Sequence, residues 1–289
     1  MAIDISRLSA GVDLPLATSR EVWASAQEAS AVMSLATKVT LPGNGLSVPM
    51  ITGDAQAEWV GETDIKPVST PTFGHKNMTA HKIAVIVPIS NEFKRDASAL
   101  YNEIVRRLPA ALGARFDATV FAGATGPAGI DRLHDAQAVD LTDDAYAGLV
   151  EADALVGAAG GLINGWALAP QGRSLLLGSF DGNGRPLFLN DASQGNVSTL
   201  LGARVRAARS LYVADADGEG AGTVAQVGVA GDWTQAYYGT VEGIRVDASE
   251  QATLTGVGNL WERNMFALRA EVEVGFVVRD KGAFVRLLG

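Results

Sequence analysis

The stretch 264–287 reads NMFALRAEVEVGFVVRDKGAFVRL, and its regular alternation is the clearest structural signal in the chain. One set of alternate positions is apolar and consists of Phe266, Leu268, Ala270, Val272, Val274, Phe276 and Val278. The positions between them carry charges at Arg269, Glu271 and Glu273. Successive side chains of a strand point to opposite faces, so this pattern predicts a long strand with one apolar and one largely charged face. We expect the following segment AFVRLL (283–288) to close the chain on the core.

A second pattern has the period of a helix. Apolar residues recur every four positions, at Leu100, Ile104, Leu108, Leu112, Phe116 and Val120. This spacing predicts an amphipathic helix that begins near Asp96 or Ser98 and ends at Gly123. Pro109 lies inside it and is expected to kink it, because proline removes one backbone hydrogen bond.

Residues 46–88 have the character of β-structure. Leu46, Val48 and Met50 alternate, and the odd positions from Phe73 to Val87 share one face of a single extended stretch that Pro88 ends. The segment between them, AEWVGETDIKPVSTPTFGHK (57–76), is polar and contains glycine and proline. The pattern predicts a long hairpin with a polar tip near 62–72. A two-stranded ribbon cannot form a core of its own, so we expect it to lie on another subunit.

The other parts of the chain have weaker patterns of secondary structure. Residues 1–40 contain a short helical pattern near Ser19–Leu35, capped by Thr18 or Ser19, and are interpreted as an arm that needs a partner surface. Residues 141–262 have an α/β pattern: a helix opened by Thr142, a short buried strand in WALAP (166–170) and a short helix in PQGRSLLLG (170–178). Further strands are predicted near 203–213, 223–230 and 236–247.

Composition excludes several classes of function. Charged residues make up 19% of the chain, below the roughly 25% of a typical soluble domain, which favours a surface hidden in contacts between copies. The net charge of −9 argues against a protein that wraps nucleic acid. The absence of cysteine excludes disulfides, Cys-ligated zinc, iron–sulfur clusters and thiol nucleophiles. The sequence has neither a signal-peptide pattern nor an apolar stretch long enough to cross a bilayer, so we expect a soluble protein made inside the cell.

A search for catalytic motifs finds none that is complete. His75 and His81 lie six positions apart on the predicted strand, about 20 Å, which is too far for one metal ion. GSFDG (178–182) misplaces the serine of a hydrolase elbow, and GATGPAG (123–129) follows a helix rather than a strand. A Ser–His–acid triad built on His134 stays open. We therefore predict no catalytic, cofactor-binding or metal-binding residues.

The order of these elements resembles the major capsid proteins of tailed bacteriophages, which share the HK-ninety-seven fold. The resemblance covers nearly the whole chain and is carried by short segments in the family's order: AEWVGE (57–62), KIAVIVPISNEFKRDAS (82–98), FAGATGPAGI (121–130), APQGRSLL (169–176), DGNGRPLF (181–188), GDWTQAYYG (231–239) and the stretch 264–287. It implies an α+β fold with an N-terminal arm (1–44) and an extended hairpin loop (45–87). It also implies a peripheral domain with a long spine helix and an antiparallel sheet (88–130 and 263–289), and a mixed α/β axial domain (131–262).

The same resemblance implies a function. Subunits of that family form pentamers and hexamers, which build an icosahedral shell around double-stranded DNA. The shell assembles in the host cytoplasm and is part of the virion. The resemblance implies neither sequence-specific DNA binding nor contact with a membrane. Because the arm begins almost at Met1, the resemblance implies that scaffolding is done by a separate protein or is not needed. A portal protein is a further expected partner, and a decoration protein is an additional candidate. The candidate inter-subunit contacts are Trp59, Glu62, Lys66, Phe73, Arg106 and Arg107. Lys66 is placed for the covalent crosslink that some members form, but no partner Asn or catalytic acid can be assigned, so we expect non-covalent contacts.

Two alternatives remain at this level. An encapsulin-like cellular compartment has a shell protein of the same fold and encloses a cargo enzyme instead of DNA. A soluble hydrolase with an acidic mixed lobe is the other alternative, since residues 131–160 and 211–250 each carry seven acidic residues and one arginine.

Overall fold

The computed structural model describes residues 30–43, 45–53, 55, 57–62, 65–96, 98–123, 125–180, 185, 187, 199–214 and 224–289. The helices are α1 (Ala31–Leu35), α2 (Asn91–Asp96), α3 (Ser98–Phe121), α4 (Ala145–Ala158) and α5 (Pro170–Leu177). The strands are β1 (Thr37–Thr40), β2 (Leu46–Gly53), β3 (Thr72–Met78), β4 (His81–Ser90), β5 (Gln137–Asp140), β6 (Gly165–Leu168), β7 (Thr199–Leu200), β8 (Ala203–Ala207), β9 (Gln226–Gly231), β10 (Ala236–Thr240), β11 (Arg245–Ser249), β12 (Thr253–Leu254), β13 (Gly258–Asn259), β14 (Met265–Val278) and β15 (Phe284–Leu288).

The long strand β14 is the centre of a five-stranded sheet. It pairs antiparallel with β4 along one side and with β10 and β11 along the other, and β1 runs parallel to β10. Its predicted apolar face is buried under α3, where the rings of Phe116 and Phe276 meet edge to face at 6.2 Å. The opposite face is charged only at its centre, because Ala267 near one end and Val277 near the other are buried as well.

A six-stranded sheet forms the second layer, in the order β5-β15-β9-β6-β8-β7. The segment AFVRLL does close on a core, but β15 enters this second sheet, parallel to β5 and antiparallel to β9. All four residues of β6 are buried, as the sequence predicts for WALAP, and α4 and α5 cover the sheet. Trp233 connects the two layers, since its ring contacts both Phe121 of α3 and Phe284 of β15.

Strand pairing crosses the predicted domain bounds. β10 and β11, placed by sequence in the axial domain, pair with β14, whereas β15, placed in the peripheral domain, pairs with β5 and β9. The part of the predicted arm that the structure describes packs on its own subunit through α1 and β1. The predicted helix before residue 30, with its caps Thr18 and Ser19, lies outside the described residues.

The long helix is confirmed: α3 runs through Pro109, and Leu108, Leu112, Phe116 and Val120 are buried. Gly123, with φ of 61°, follows its end. The single stretch 73–87 is wrong, because the chain breaks at Thr79–Ala80, where β3 stops pairing with β2 and β4 begins to pair with β14. β4 continues past Pro88 to Ser90. Among the described strands it pairs only with β14, and proline is tolerated in edge strands.

Three smaller predictions are also corrected. α4 is capped by Asp144, whose carboxylate accepts from the amides of Tyr146 and Ala147, while Thr142 hydrogen-bonds to Asp140 instead. The predicted strand 203–213 ends at Ala207, where a 3-10 turn follows. The predicted strand 236–247 is two strands, β10 and β11, which pair with successive segments of β14.

Candidate functional site

The hairpin of β2 and β3 is anchored at one end, which we call the hairpin root (residues 46–48 and 76–78). There Leu46 pairs with Met78 and Val48 with Lys76. Met78 has no exposed surface and packs with Leu41, Val48 and Val277. A Cβ added to Gly275 would lie 2.7 Å from the Met78 side chain, so the absence of a side chain there makes room for the methionine.

A small ionic cluster fixes the hairpin root to the end of β14. The Lys76 ammonium donates to the Val278 carbonyl at 2.6 Å and forms an ion pair with Asp131 at 3.3 Å. The same Asp131 carboxylate accepts from the Val278 amide at 2.9 Å. The charged lysine and the last residue of β14 therefore share one acceptor, which ties the hairpin root to the central sheet.

The opposite end, which we call the hairpin tip (residues 57–62 and 65–71), has no buried residue. Its large apolar side chains stand in solvent, with relative exposures of 105% for Trp59, 95% for Ile65 and 94% for Val68. Glu62 and Lys66 are exposed beside them. Apolar groups concentrated on one projecting segment mark a surface for another protein.

The structure places the six candidate contact residues in two regions. Trp59, Glu62 and Lys66 lie together on the hairpin tip. Phe73 is the second residue of β3 and lines a cleft of about 850 Å³ with Gly160 and Arg279. Arg106 and Arg107 lie elsewhere, on an exposed turn of α3.

Those two arginines already have a partner in their own helix. Both contact the Glu103 carboxylate at 2.7 Å, from positions three and four residues further along α3. The hydrogen bond from Arg107 lowers the pKa of the Glu103 carboxyl, with Arg106 adding to the effect. Two arginines share one carboxylate, so a net positive charge stays at this surface; a contact with another subunit stays a prediction.

Sequence reasoning missed the buried carboxylate of Asp117 in α3. It accepts from the Ser30 hydroxyl at 2.6 Å, from the Ala31 amide at 2.8 Å and from the Val32 amide at 3.3 Å. Burial raises the pKa of Asp117 to about 6, although these three hydrogen bonds act in the opposite direction. Asp117 thereby holds the first turn of α1 against α3. The available signal in the sequence was a charged residue directly after Phe116 of the apolar stripe.

The histidines are placed apart from one another. The His81 ring lies 2.8 Å from the Thr79 hydroxyl, and His134 lies 3.2 Å from the side-chain oxygen of Gln226, while His75 belongs to β3. The described part of the chain contains no cluster of three metal-ligating side chains. None of its helices combines the length and apolar character needed to span a membrane.

Comparison with known proteins decides the family. The model of the phage capsid family matches residues 10–288. The chain belongs to this family. It is 31% identical over 288 residues to the "Probable major capsid protein gp17" of Mycobacterium phage L5 and 30% identical over 283 residues to the protein of the same name from Mycobacterium phage D29, covering 93% of this chain and 87% of each relative. A solved structure from Gordonia phage Cozz superposes with a TM-score of 0.73 at 27% identity, covering 89% of this chain and 85% of that one.

Family membership confirms the resemblance and the α+β HK-ninety-seven fold inferred from sequence. The protein is a structural component of the phage capsid and not an enzyme, which removes the hydrolase alternative. It is a component of the virion. The matches to phage proteins also favour the phage capsid over the cellular compartment.

Proposed function

We propose that this capsid protein assembles with copies of itself into pentamers and hexamers, which form the icosahedral head shell around the double-stranded DNA genome. The observation that carries the proposal is the hairpin tip, where Trp59, Ile65 and Val68 are almost completely exposed. A segment without a core gains stability only where a neighbour covers it. The hairpin tip is therefore the clamp that lies on the adjacent subunit.

The two sheets belong to different domains of the shell subunit in this proposal. We assign the sheet around β14, together with α3, to the peripheral domain and the sheet around β15 to the axial domain, in place of the bounds predicted from sequence. The net charge of −9 suits a container, because an acidic wall repels packed DNA rather than gripping it. Assembly in the host cytoplasm, a separate scaffolding protein, a portal and a decoration protein complete the proposal.

Deletion of residues 65–70 tests the clamp and leaves the paired strand β3 intact. We expect the variant subunit to fold with an unchanged thermal unfolding midpoint, because these residues are exposed and contribute nothing to its core. Negative-stain images are expected to show no closed shells, or shells that break at lower denaturant concentration. A replacement of the same six residues by a Gly/Ser segment of equal length is the control for loop length, and it should fail in the same way.

Two results would contradict the proposal. Shells of unchanged stability from the deletion variant would mean that the hairpin tip is not a clamp. A wild-type protein that stays monomeric at micromolar concentration over a range of salt would overturn shell formation itself.

A further inference from the structure

The last residues of β14, beside the hairpin root, are bonded to side chains where their neighbouring strand has ended. β4 pairs with β14 only as far as Val274. Beyond that point, the Asp131 amide donates to the Phe276 carbonyl at 3.3 Å, and the Asp131 carboxylate accepts from the Val278 amide at 2.9 Å. The Val278 carbonyl accepts from the Lys76 ammonium at 2.6 Å. Asp131 and Lys76 therefore satisfy backbone groups of β14 that β4 no longer pairs.

The hairpin root is held in two different ways, by apolar packing at Met78 and by ionic contacts at Lys76. Lys76 lies two residues closer to the hairpin tip than Met78, about 7 Å along the strand. The next pair of residues on the same face of the hairpin is Met50 and Gly74, and Met50 lines the cleft of about 850 Å³. The hairpin separates from the rest of the subunit there. One held point lets an element rotate about it, whereas a second point determines its direction.

The length of the hairpin amplifies a small movement at Lys76. Thr72, where β3 begins, lies six residues from Met78, which is about 20 Å along the strand. With Met78 as the pivot, a displacement of about 1 Å at Lys76 moves Thr72 by about 3 Å, because the distances from the pivot are about 7 and 20 Å. The hairpin tip lies beyond Thr72 and moves further. One contact at Lys76 can therefore control where the whole tip points.

The chemistry at Lys76 suits a role in direction rather than in folding. Its ammonium donates to a carbonyl and to the Asp131 carboxylate, and charge-assisted hydrogen bonds of this kind are stronger than neutral ones. Asp131 also has a second lysine partner, Lys281, at 3.8 Å. Removal of the Lys76 charge therefore leaves no carboxylate without a cation, and the subunit is expected to fold without it.

We propose that Lys76 is the positioning residue of the hairpin: together with Asp131, it selects the direction in which the hairpin tip projects from its own subunit. Without Lys76, Met78 still anchors the root, but the tip takes a range of directions. The consequence for assembly rests on the proposed clamp function. Because a neighbour binds only subunits whose tip points correctly, the apparent affinity between subunits falls in proportion to the fraction of such subunits.

The cysteine-free chain allows a direct test in the isolated subunit. We would place spin labels at Val68→Cys on the hairpin tip and at Ala111→Cys on the exposed side of α3, and measure the distance between them by double electron–electron resonance. Dilution with unlabelled subunits restricts the measurement to distances within one subunit. We expect one narrow distribution when Lys76 is present, and a distribution that shifts or broadens by at least about 3 Å in Lys76→Met.

Two further variants control this measurement. Lys82→Met removes another ion-paired lysine of the central sheet, which lies 3.2 Å from Glu273, and should leave the distances unchanged. Lys76→Arg keeps the charge and the donors and should restore the narrow distribution. All three variants should keep the thermal unfolding midpoint within about 4 °C of the wild type, since partly exposed ion pairs contribute little to stability.

Assembly supplies a second measurement. If about a third of the Lys76→Met subunits keep the correct direction, the concentration needed for half-assembly should rise about threefold, as measured by light scattering. Lys82→Met should assemble at the same concentration as the wild type. Lys76→Arg should assemble as the wild type does, because it restores the direction.

The outcomes separate this inference from the proposed function. An unchanged distance distribution in Lys76→Met would overturn the positioning role and leave the shell function intact. An insoluble or unfolded Lys76→Met protein would mean that Lys76 determines the fold as a whole, and it would also overturn the positioning role. A broader distribution with an unchanged assembly concentration would support the positioning role and contradict the hairpin tip as the clamp.

Discussion

The two ends of one hairpin follow different physical rules. At the hairpin root, Met78 has no exposed surface and Lys76 is bonded to the last residue of β14. At the hairpin tip, Trp59 and Ile65 are almost completely exposed. The root is determined by contacts within the subunit, whereas we propose that the tip acquires its contacts in an assembly. Stability and assembly are thus assigned to separate residues of a single element, and substitutions can separate them.

The largest effect on the subunit is expected at the hairpin root, from Met78→Asp. Loss of a buried methionine costs about 2–5 kcal/mol on the scale of substitutions to alanine, and a buried carboxylate without a partner adds several more. Together these approach the ~5–15 kcal/mol that stabilises a typical domain. We expect insoluble or unfolded protein, measured as the soluble fraction and by circular dichroism.

Phe73→Asp is the matched control for Met78→Asp, because Phe73 lies on the same strand and is 75% exposed. It should yield a folded subunit. A folded and soluble Met78→Asp protein would mean that the root is not part of the core and would remove the distinction between the two ends.

A smaller effect, with a defined pH dependence, is expected at Asp117, which anchors α1 as Met78 anchors the hairpin. The folded state raises the pKa of this carboxyl to about 6 from an ordinary value of 3.8, so between these pH values the folded protein binds more protons than the unfolded chain. The free energy of unfolding therefore falls as pH rises from about 4 to about 6, by about 3 kcal/mol, and is level above that.

Asp117→Asn isolates this contribution because its amide does not titrate. Urea unfolding of wild type and variant at several pH values between 4 and 7.5 gives the difference in their unfolding free energies. We expect this difference to shift by about 3 kcal/mol against the wild type as pH rises across the range. A difference that stays constant with pH would show that folding does not raise the pKa of Asp117.

Periodicity made the two longest elements predictable. Leu268 in β14 and Leu112 in α3 belong to uninterrupted patterns, and packing in the structure follows those patterns. The break at Thr79–Ala80 was missed because the sequence was read as one continuous alternation. In the structure the alternation changes phase there, since the even-numbered positions are the more buried ones in β3 and the odd-numbered positions in β4. Which strands pair over long distances is decided by three-dimensional packing, and so the sheet assignments of β10, β11 and β15 could not be read from local pattern.

The candidate contact residues could likewise be predicted only in part from the sequence. The hairpin tip was found because its segment is polar, rich in turn residues and similar to a known family, and the exposure of Trp59 and Lys66 agrees with a contact role without testing it. The ion pairs of Arg106 and Arg107 with Glu103 follow from helical spacing. The hydrogen bonds of Asp117 join residues 86 positions apart, as in its bond from Ala31, and no local pattern contains that information.

The smallest effect on the subunit, and a large one on assembly, is expected from Trp59→Ser at the hairpin tip. Trp59 is 105% exposed, so its removal should change the free energy of unfolding by less than about 0.5 kcal/mol. In a shell, a tryptophan that buries about 150–250 Å² on a neighbour contributes up to about 4–6 kcal/mol per contact, by area. We therefore expect a normally folded subunit that needs a higher concentration to assemble, measured by urea unfolding and by light scattering. Glu250→Gln, an exposed residue that follows β11 and lies outside the hairpin tip, should behave as wild type in both measurements. If Trp59→Ser instead lowered the unfolding free energy by more than about 1 kcal/mol, the hairpin tip would pack on its own subunit, and the two ends of the hairpin would no longer differ in kind.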